Sequence, residues 1–108
     1  MSEIPASSNF FAVVTGEEAS VDDVAALYRA AGWQVRKCGN TDYEARSDVA
    51  ELVIEGVATI LVHGPVAEPV ANAAIVTKPL RDAAIGFFYE CYGADRALLL
   101  EEKWTPAK

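Results

Sequence analysis

The sequence predicts an α+β domain with a mainly antiparallel sheet of five to seven strands and helices packed on one face. Short runs of alternating or continuous apolar residues recur along the chain, separated by glycine, proline and asparagine, as is typical of strands. One stretch near the N-terminus has helical periodicity instead. We expect a single domain over residues 1–108, with flexible ends at 1–8 and 105–108.

The well-defined helix is predicted at about 21–31. Ser20 and Asp23 have the spacing of a capping box, in which each side chain satisfies an amide of the other residue. The apolar residues that follow have the spacing of one helical face and are Val24, Leu27, Tyr28 and Ala31. Gly32 is typical of a helix end.

Seven runs are predicted as strands, namely 10–15, 33–38, 41–46, 49–55, 58–63, 87–92 and 97–101. The first of them is bounded by Gly16, and helix is the alternative for the last two. Residues 65–79 contain three prolines and are expected to form a loop with at most one short helix. A short second helix is predicted at about 80–85, with Pro79 at its first position and Gly86 as its end.

The formal net charge is −7, from 16 acidic and 9 basic residues. A surface this negative disfavours nucleic acids and anionic membranes, and it attracts a basic partner. Neither a signal peptide nor an apolar run of about 20 residues is found. We therefore expect a cytoplasmic protein in which Cys38 and Cys91 are reduced.

The sequence lacks the residues that several kinds of catalytic and metal-binding site require. His63 is the single histidine, and at the end of an apolar strand it is more typical of packing than of catalysis. One histidine and two distant cysteines do not make a zinc site, and the isolated glycines do not form a phosphate-binding loop. We expect no catalytic residue, no metal and no cofactor.

Two groups of residues are candidate binding surfaces. The first is acidic and lies on the polar side of consecutive strands, with the members Glu44, Asp48, Glu51 and Glu55. The second is aromatic, because Phe87, Phe88, Tyr89 and Tyr92 crowd one strand and must face both of its sides. Phe88 is the aromatic residue that we expect to contact a partner. The alternatives are a solvated sheet face for the acids and a core on both sides for the aromatics.

The stretch from Phe10 to His63 is predicted as a strand, a helix and three or four strands. In this order, and in the helix-to-strand step Leu27-Tyr28-Arg29-Ala30-Ala31-Gly32-Trp33, it resembles one module of the vicinal oxygen chelate proteins, the glyoxalase and bleomycin-resistance family. Members of that family normally have two modules per chain, and this chain has room for one and a half. Its first strand lacks the metal-ligating histidine or glutamate, so the resemblance implies a metal-free ligand binder.

These observations favour a non-enzymatic module that presents an acidic surface to a basic protein, in the form of a small inhibitor such as an immunity protein or antitoxin. The alternative is a glyoxalase-like small-molecule binder or enzyme that acts as a homodimer. It predicts a concave apolar pocket lined by Tyr, Trp and one or two carboxylates, with His63 and Glu51 as its expected polar groups. A structural or adaptor subunit, the third hypothesis, predicts an exposed apolar patch around Phe87 and Phe88.

Overall fold

The computed structural model describes residues 4–15, 19–56 and 58–106. The elements are β1 (Phe10–Val14), α1 (Val21–Ala30), β2 (Gln34–Cys38), β3 (Asp42–Arg46), β4 (Glu51–Glu55), β5 (Ile60–Gly64), α2 (Pro69–Asp82), β6 (Phe87–Tyr92) and β7 (Leu98–Trp104). The two late runs are strands, and β7 continues beyond its predicted end to Trp104. The predictions for residues 1–3, Gly16 and 107–108 lie outside the described residues.

The described strands form one seven-stranded antiparallel sheet in the order β2-β3-β4-β5-β1-β6-β7. Strands β2 to β5 follow one another as a meander. Strand β1 lies between β5 and β6, so it joins the meander to the C-terminal hairpin, and β2 and β7 form the two edges. The predicted antiparallel α+β architecture is confirmed.

One face of this sheet carries both helices and the core. On β1, Phe10, Ala12 and Val14 are buried. The buried residues of the neighbouring strands lie in register with them, since Phe10 is opposite Gly64 on β5 and Cys91 on β6. Helix α1 packs on β2, β3 and β4, and α2 packs on β6 and on α1. We call this side of the sheet the helical face.

Helix α1 begins at the predicted capping box. The Ser20 hydroxyl accepts a hydrogen bond from the Asp23 amide at 3.0 Å, and the Asp23 carboxylate accepts one from the Ser20 amide at 3.0 Å. Both bonds satisfy amides that the first turn leaves free. Local sequence therefore determines where this helix starts.

Tyr28 joins the two helices. Its side chain is fully buried, and its hydroxyl donates to the Val76 carbonyl of α2 at 2.7 Å. The ring packs edge-on against Trp33, with the centroids 5.1 Å apart. Because burial disfavours the phenolate, it raises the pKa of Tyr28 well above its usual range.

The predicted boundaries of the second helix are wrong. The structure has a 14-residue helix from Pro69 to Asp82, where a loop was predicted at 65–79 and a short helix at about 80–85. Pro69 occupies the first turn, which proline tolerates, whereas Pro79 lies inside the helix. Buried residues at helical spacing stabilise the segment despite Pro79, and these are Ala73, Val76, Thr77 and Leu80.

The other side of the sheet, which we call the open face, is not covered by any described helix or strand. Its central residues, taken from the pairing register, are Phe11, Val13, Val53, Leu61, His63 and Phe88. Charged residues lie on the strands at both sides of this centre. None of the described helices is long and apolar enough to cross a membrane.

Candidate functional site on the open face

An apolar stripe crosses the middle of the open face over the four adjacent strands β4, β5, β1 and β6. Its members, in the order of the strands, are Val53, Leu61, Phe11, Val13 and Phe88. Leu61 and Phe88 both lie opposite Val13, one on each side of β1. Phe11 is 43% exposed and Leu61 38%. The other three members are half-buried. A contiguous, partly exposed apolar patch of this kind is typical of an interaction surface.

Phe11 is held in place by two aromatic neighbours on the same face. Its ring stacks on His63, with the centroids 6.4 Å apart and the planes 9° apart. Tyr92 packs edge-on against it at 6.0 Å. A rigid aromatic side chain loses little conformational freedom on binding, so Phe11 is a suitable anchor for a partner.

Four of the five predicted partner-binding residues lie together on the open face. Glu44 is on β3, Glu51 and Glu55 are on β4, and the half-buried Phe88 is on β6. Asp48 is exposed in the loop between β3 and β4. The alternation of apolar and polar residues placed the three glutamates on the polar side of their strands, and the register places Phe88 on the same side.

Each of the three glutamates already has a partner. Arg36 pairs with Glu44, Arg46 pairs with Glu51 at 2.8 Å, and His63 Nε2 lies 2.6 Å from a Glu55 oxygen. The two arginines neutralise much of the negative charge at the β3–β4 side of the stripe. The sequence did not show these pairs, because they join residues on different strands and depend on the register.

Two carboxylates that the sequence did not single out lie at the opposite side of the stripe. Glu90 on β6 is directly opposite Glu101 on β7, and Glu90 is also opposite Phe11 on β1. Neither forms an ion pair within the described residues. Desolvation and the negative charges of Glu90 and Glu101 raise the pKa of the neighbouring Tyr92 hydroxyl.

Like charges directly opposite in a β-ladder destabilise the fold, so this pair does not serve stability. Strands were predicted at 87–92 and 97–101, but the partner of each residue was not. A register shift at Cys91 and Tyr92 changes the pairing of the two strands. Such an irregularity has no clear signal in the sequence, and the opposition of the two acids depends on it.

The open face as a whole is negative. Its strands carry three cations, Arg36, Arg46 and Lys103, against six carboxylates, Asp42, Glu44, Glu51, Glu55, Glu90 and Glu101. The excess of acids agrees in sign with the net charge of the chain. A cationic surface is therefore its electrostatic complement.

The remaining aromatic residues of β6 belong to the helical face. Phe87 is fully buried and stacks on Trp104 of β7 at 5.5 Å. Arg81 of α2 lies over both rings and pairs with Glu102 at 2.5 Å. Of the apolar patch expected around Phe87 and Phe88, only Phe88 is on the open face.

A cleft of about 780 Å³ lies at one end of the sheet. Phe11 and Tyr92 line it on the side of the open face, and its other lining residues include 5–9, Pro69 and Arg96. It is lined by one tyrosine and by Glu68, but by neither tryptophan. The two polar groups expected in a glyoxalase-like pocket, His63 and Glu51, do not line it and pair with Glu55 and Arg46.

The cysteines and acids offer little further chemistry within the described residues. Both cysteines are free; Cys91 is buried in the core, where burial raises the pKa of its thiol and disfavours the reactive thiolate. Cys38 is half-buried at the end of the edge strand β2. The described ranges contain no group of at least three His, Cys, Asp or Glu side chains that could hold a metal ion.

Comparison with known proteins yields no relative. No protein-family model matches the chain, and no curated protein or solved structure matches it either. The resemblance of residues 10–63 to a glyoxalase-type module gains no support from these comparisons. A functional hypothesis therefore depends on the geometry of the open face.

Proposed function

We propose that the protein is a non-enzymatic, cytoplasmic binding module whose open face binds a basic partner protein. The observation that carries this proposal is the partly exposed apolar stripe, bordered on its β6–β7 side by the opposed carboxylates Glu90 and Glu101. Apolar contact supplies most of the affinity of such interfaces, while complementary charge speeds association and selects the partner.

The stripe has the composition of an interface centre. Aromatic and aliphatic side chains occupy its middle, and charged residues surround it, as in protein interfaces with a dry centre and a polar rim. Covering an exposed side chain such as Leu61 contributes on the order of 1 kcal/mol, so several together favour a stable complex.

More specifically, we propose that this binding module is an inhibitor of the immunity-protein or antitoxin kind, which occludes the active site of a basic toxin. Two features support it. The negative open face can imitate the charge of a nucleic acid, and a binding surface formed by a hydrogen-bonded sheet changes shape little on binding.

The test is affinity capture from the lysate of the source organism, followed by titration calorimetry with the purified partner. Two matched pairs of variants locate the surface. Glu101→Lys reverses a charge on the open face, and Asp82→Lys reverses one on α2. Leu61→Ala removes an exposed aliphatic side chain from the stripe, and Ile75→Ala removes one from α2.

We expect one stoichiometric basic partner whose affinity falls about tenfold in Glu101→Lys and in Leu61→Ala. The two α2 variants should bind like the wild type, and higher salt should weaken the complex. Equal losses from the open-face and α2 variants would contradict the assigned surface. A partner that stays fully active in the saturated complex would contradict the inhibitor form.

A small-molecule binder that acts as a homodimer is the second candidate, and the cleft beside Phe11 and Tyr92 supports it. This hypothesis expects the wild type to be a dimer in sedimentation and to be stabilised against heat by a small ligand. A monomer that captures one basic protein argues for the binding module instead.

A further inference from the structure

Resting on the proposed function, we propose that the partner contacts the open face with an amphipathic, cationic α-helix that lies across β4, β5, β1 and β6. Its apolar side covers the stripe, and its lysines or arginines reach the carboxylates on either side.

The dimensions of the stripe fit a short helix. Four adjacent strands span three gaps of about 4.8 Å, which is roughly 14 Å. A helix rises about 1.5 Å per residue, so about ten residues cover this distance. Apolar residues at positions i, i+3 or i+4, and i+7 of such a helix meet the successive strands of the stripe.

The helical face of the same sheet shows that a helix of this length suits it. Helix α1 has ten residues and contacts the three adjacent strands β2, β3 and β4. Its contact surface includes the buried residues Val24, Ala25 and Tyr28. The stripe on the open face spans four strands, one more than α1 contacts, and no described helix lies on it.

A strand is a poorer fit than a helix for this position. Strand addition uses free backbone amides and carbonyls at a sheet edge. The strands β4, β5, β1 and β6 are each paired on both sides, so the backbone groups under the stripe already take part in ladders. A strand of the partner would bind at β2 or β7, away from the stripe.

A second copy of this chain is also a poorer fit, because of charge. The open face has twice as many carboxylates as cations, and two such faces packed together would place like charges near each other. Glu90 and Glu101, which form no ion pair within the described residues, would then face a surface with an excess of carboxylates. A basic helix supplies those cations and covers the apolar stripe at the same time.

The experiment uses the full chain and two synthetic 14-residue peptides of leucine and lysine. In one peptide the leucines share a helical face, and in the other the same residues are distributed around the helix. Amide chemical-shift changes in ¹⁵N-labelled protein locate the contact, and circular dichroism reports helix formation in the peptide. Leu61→Ala and Ile75→Ala serve as the site variant and its matched control, with thermal unfolding as the check of folding.

We expect the amphipathic peptide to bind as a helix, at least about tenfold more tightly than the distributed one, with shifts centred on Phe11, Leu61 and Phe88. Leu61→Ala should weaken binding about fivefold or more, and Ile75→Ala should not. The proposal of a bound helix would be refuted if both peptides bound equally or neither bound. Shifts confined to β2, β7 or the cleft would also refute it.

These outcomes are separate from a failure of the proposed function. If capture yields a basic partner that Glu101→Lys and Leu61→Ala release, but the two peptides bind equally, the proposed binding module is supported and the proposed helical contact is refuted. If the chain forms a dimer that Leu61→Ala dissociates, a second copy occupies the open face, and both proposals fall.

Discussion

The helical face and the open face of the sheet are built from alternate residues of the same strands, yet they differ in burial and in how their polar groups are paired. On the helical face, buried apolar side chains pack against α1 and α2, and polar groups such as the Tyr28 hydroxyl find partners. On the open face, Phe11 and Leu61 are exposed, and two carboxylates oppose each other. The first arrangement favours stability, whereas the second costs stability and favours association.

Neighbouring residues of one strand therefore lie in different environments, so substituting adjacent residues compares the two faces directly. Phe87 and Phe88 are adjacent on β6 but face opposite sides of the sheet. Glu101 and Glu102 on β7 are likewise adjacent and face opposite sides. Substituting the two members of such a pair changes the same kind of side chain at almost the same place in the sequence. A difference in outcome then reports the face and not the residue type.

The largest effect is expected for Phe87→Ala. Phe87 is fully buried between Tyr89, Trp104 and Arg81, so its loss leaves a cavity and should lower the free energy of unfolding by about 3–5 kcal/mol. Phe88→Ala should cost only about 1 kcal/mol, since that side chain is half-buried. Urea unfolding measures both, and similar losses would contradict the assignment of the two faces.

An intermediate effect is expected at alkaline pH. Burial, and then the charge and hydrogen bond of Glu102, raise the pKa of Tyr89 to about 12, whereas an unfolded tyrosine titrates near 10. The folded pKa is the higher one, so the contribution of Tyr89 is complete below pH 10 and is lost as the pH rises from about 10 to about 12.

The free energy of unfolding should therefore fall over that window, and Tyr89→Phe should make the fall smaller. Urea unfolding at a series of pH values measures it. Tyr92→Phe, an equal change on the open face, is the control and should alter the slope less. Equal slopes in the two variants would show that burial on the helical face does not govern this titration.

The smallest effect separates Glu102 from Glu101. Glu102 pairs with Arg81, and because both side chains are partly exposed, Glu102→Gln should lower the free energy of unfolding by about 1 kcal/mol. Glu101→Gln relieves the repulsion from Glu90 and should leave stability unchanged or raise it by about 0.5 kcal/mol. Thermal and urea unfolding compare them, and a loss in Glu101→Gln as large as that in Glu102→Gln would argue against an unpaired acid on the open face.

Much of the fold was predictable because it depends on local patterns. The capping box at Ser20 placed the start of α1, and alternation placed every strand within a few residues. The second helix was misplaced because prolines disfavour helix locally, and the packing that overrides Pro79 involves distant residues of α1 and β6. Helix boundaries are weakly specified wherever tertiary contact outweighs intrinsic propensity.

The candidate site divides in the same way. Alternation put Glu44, Glu51 and Glu55 on the polar side of their strands, because side chains of a strand change sides at every residue. Only the register shows that Phe88 shares that side of the sheet. The sequence could not show that β1 lies between β5 and β6, the placement that brings Phe11 between His63 and Glu90.

The sequence by itself determined most kinds of element, the acidic character of the chain and the polar and apolar sides of the strands that alternate. Only the tertiary structure decided which strands are neighbours, which acids are neutralised by Arg36 and Arg46, and which acids oppose each other at Glu90 and Glu101. The reason is one of range. Helix caps and strand alternation depend on residues a few positions apart, whereas strand order and register depend on contacts between distant parts of the chain.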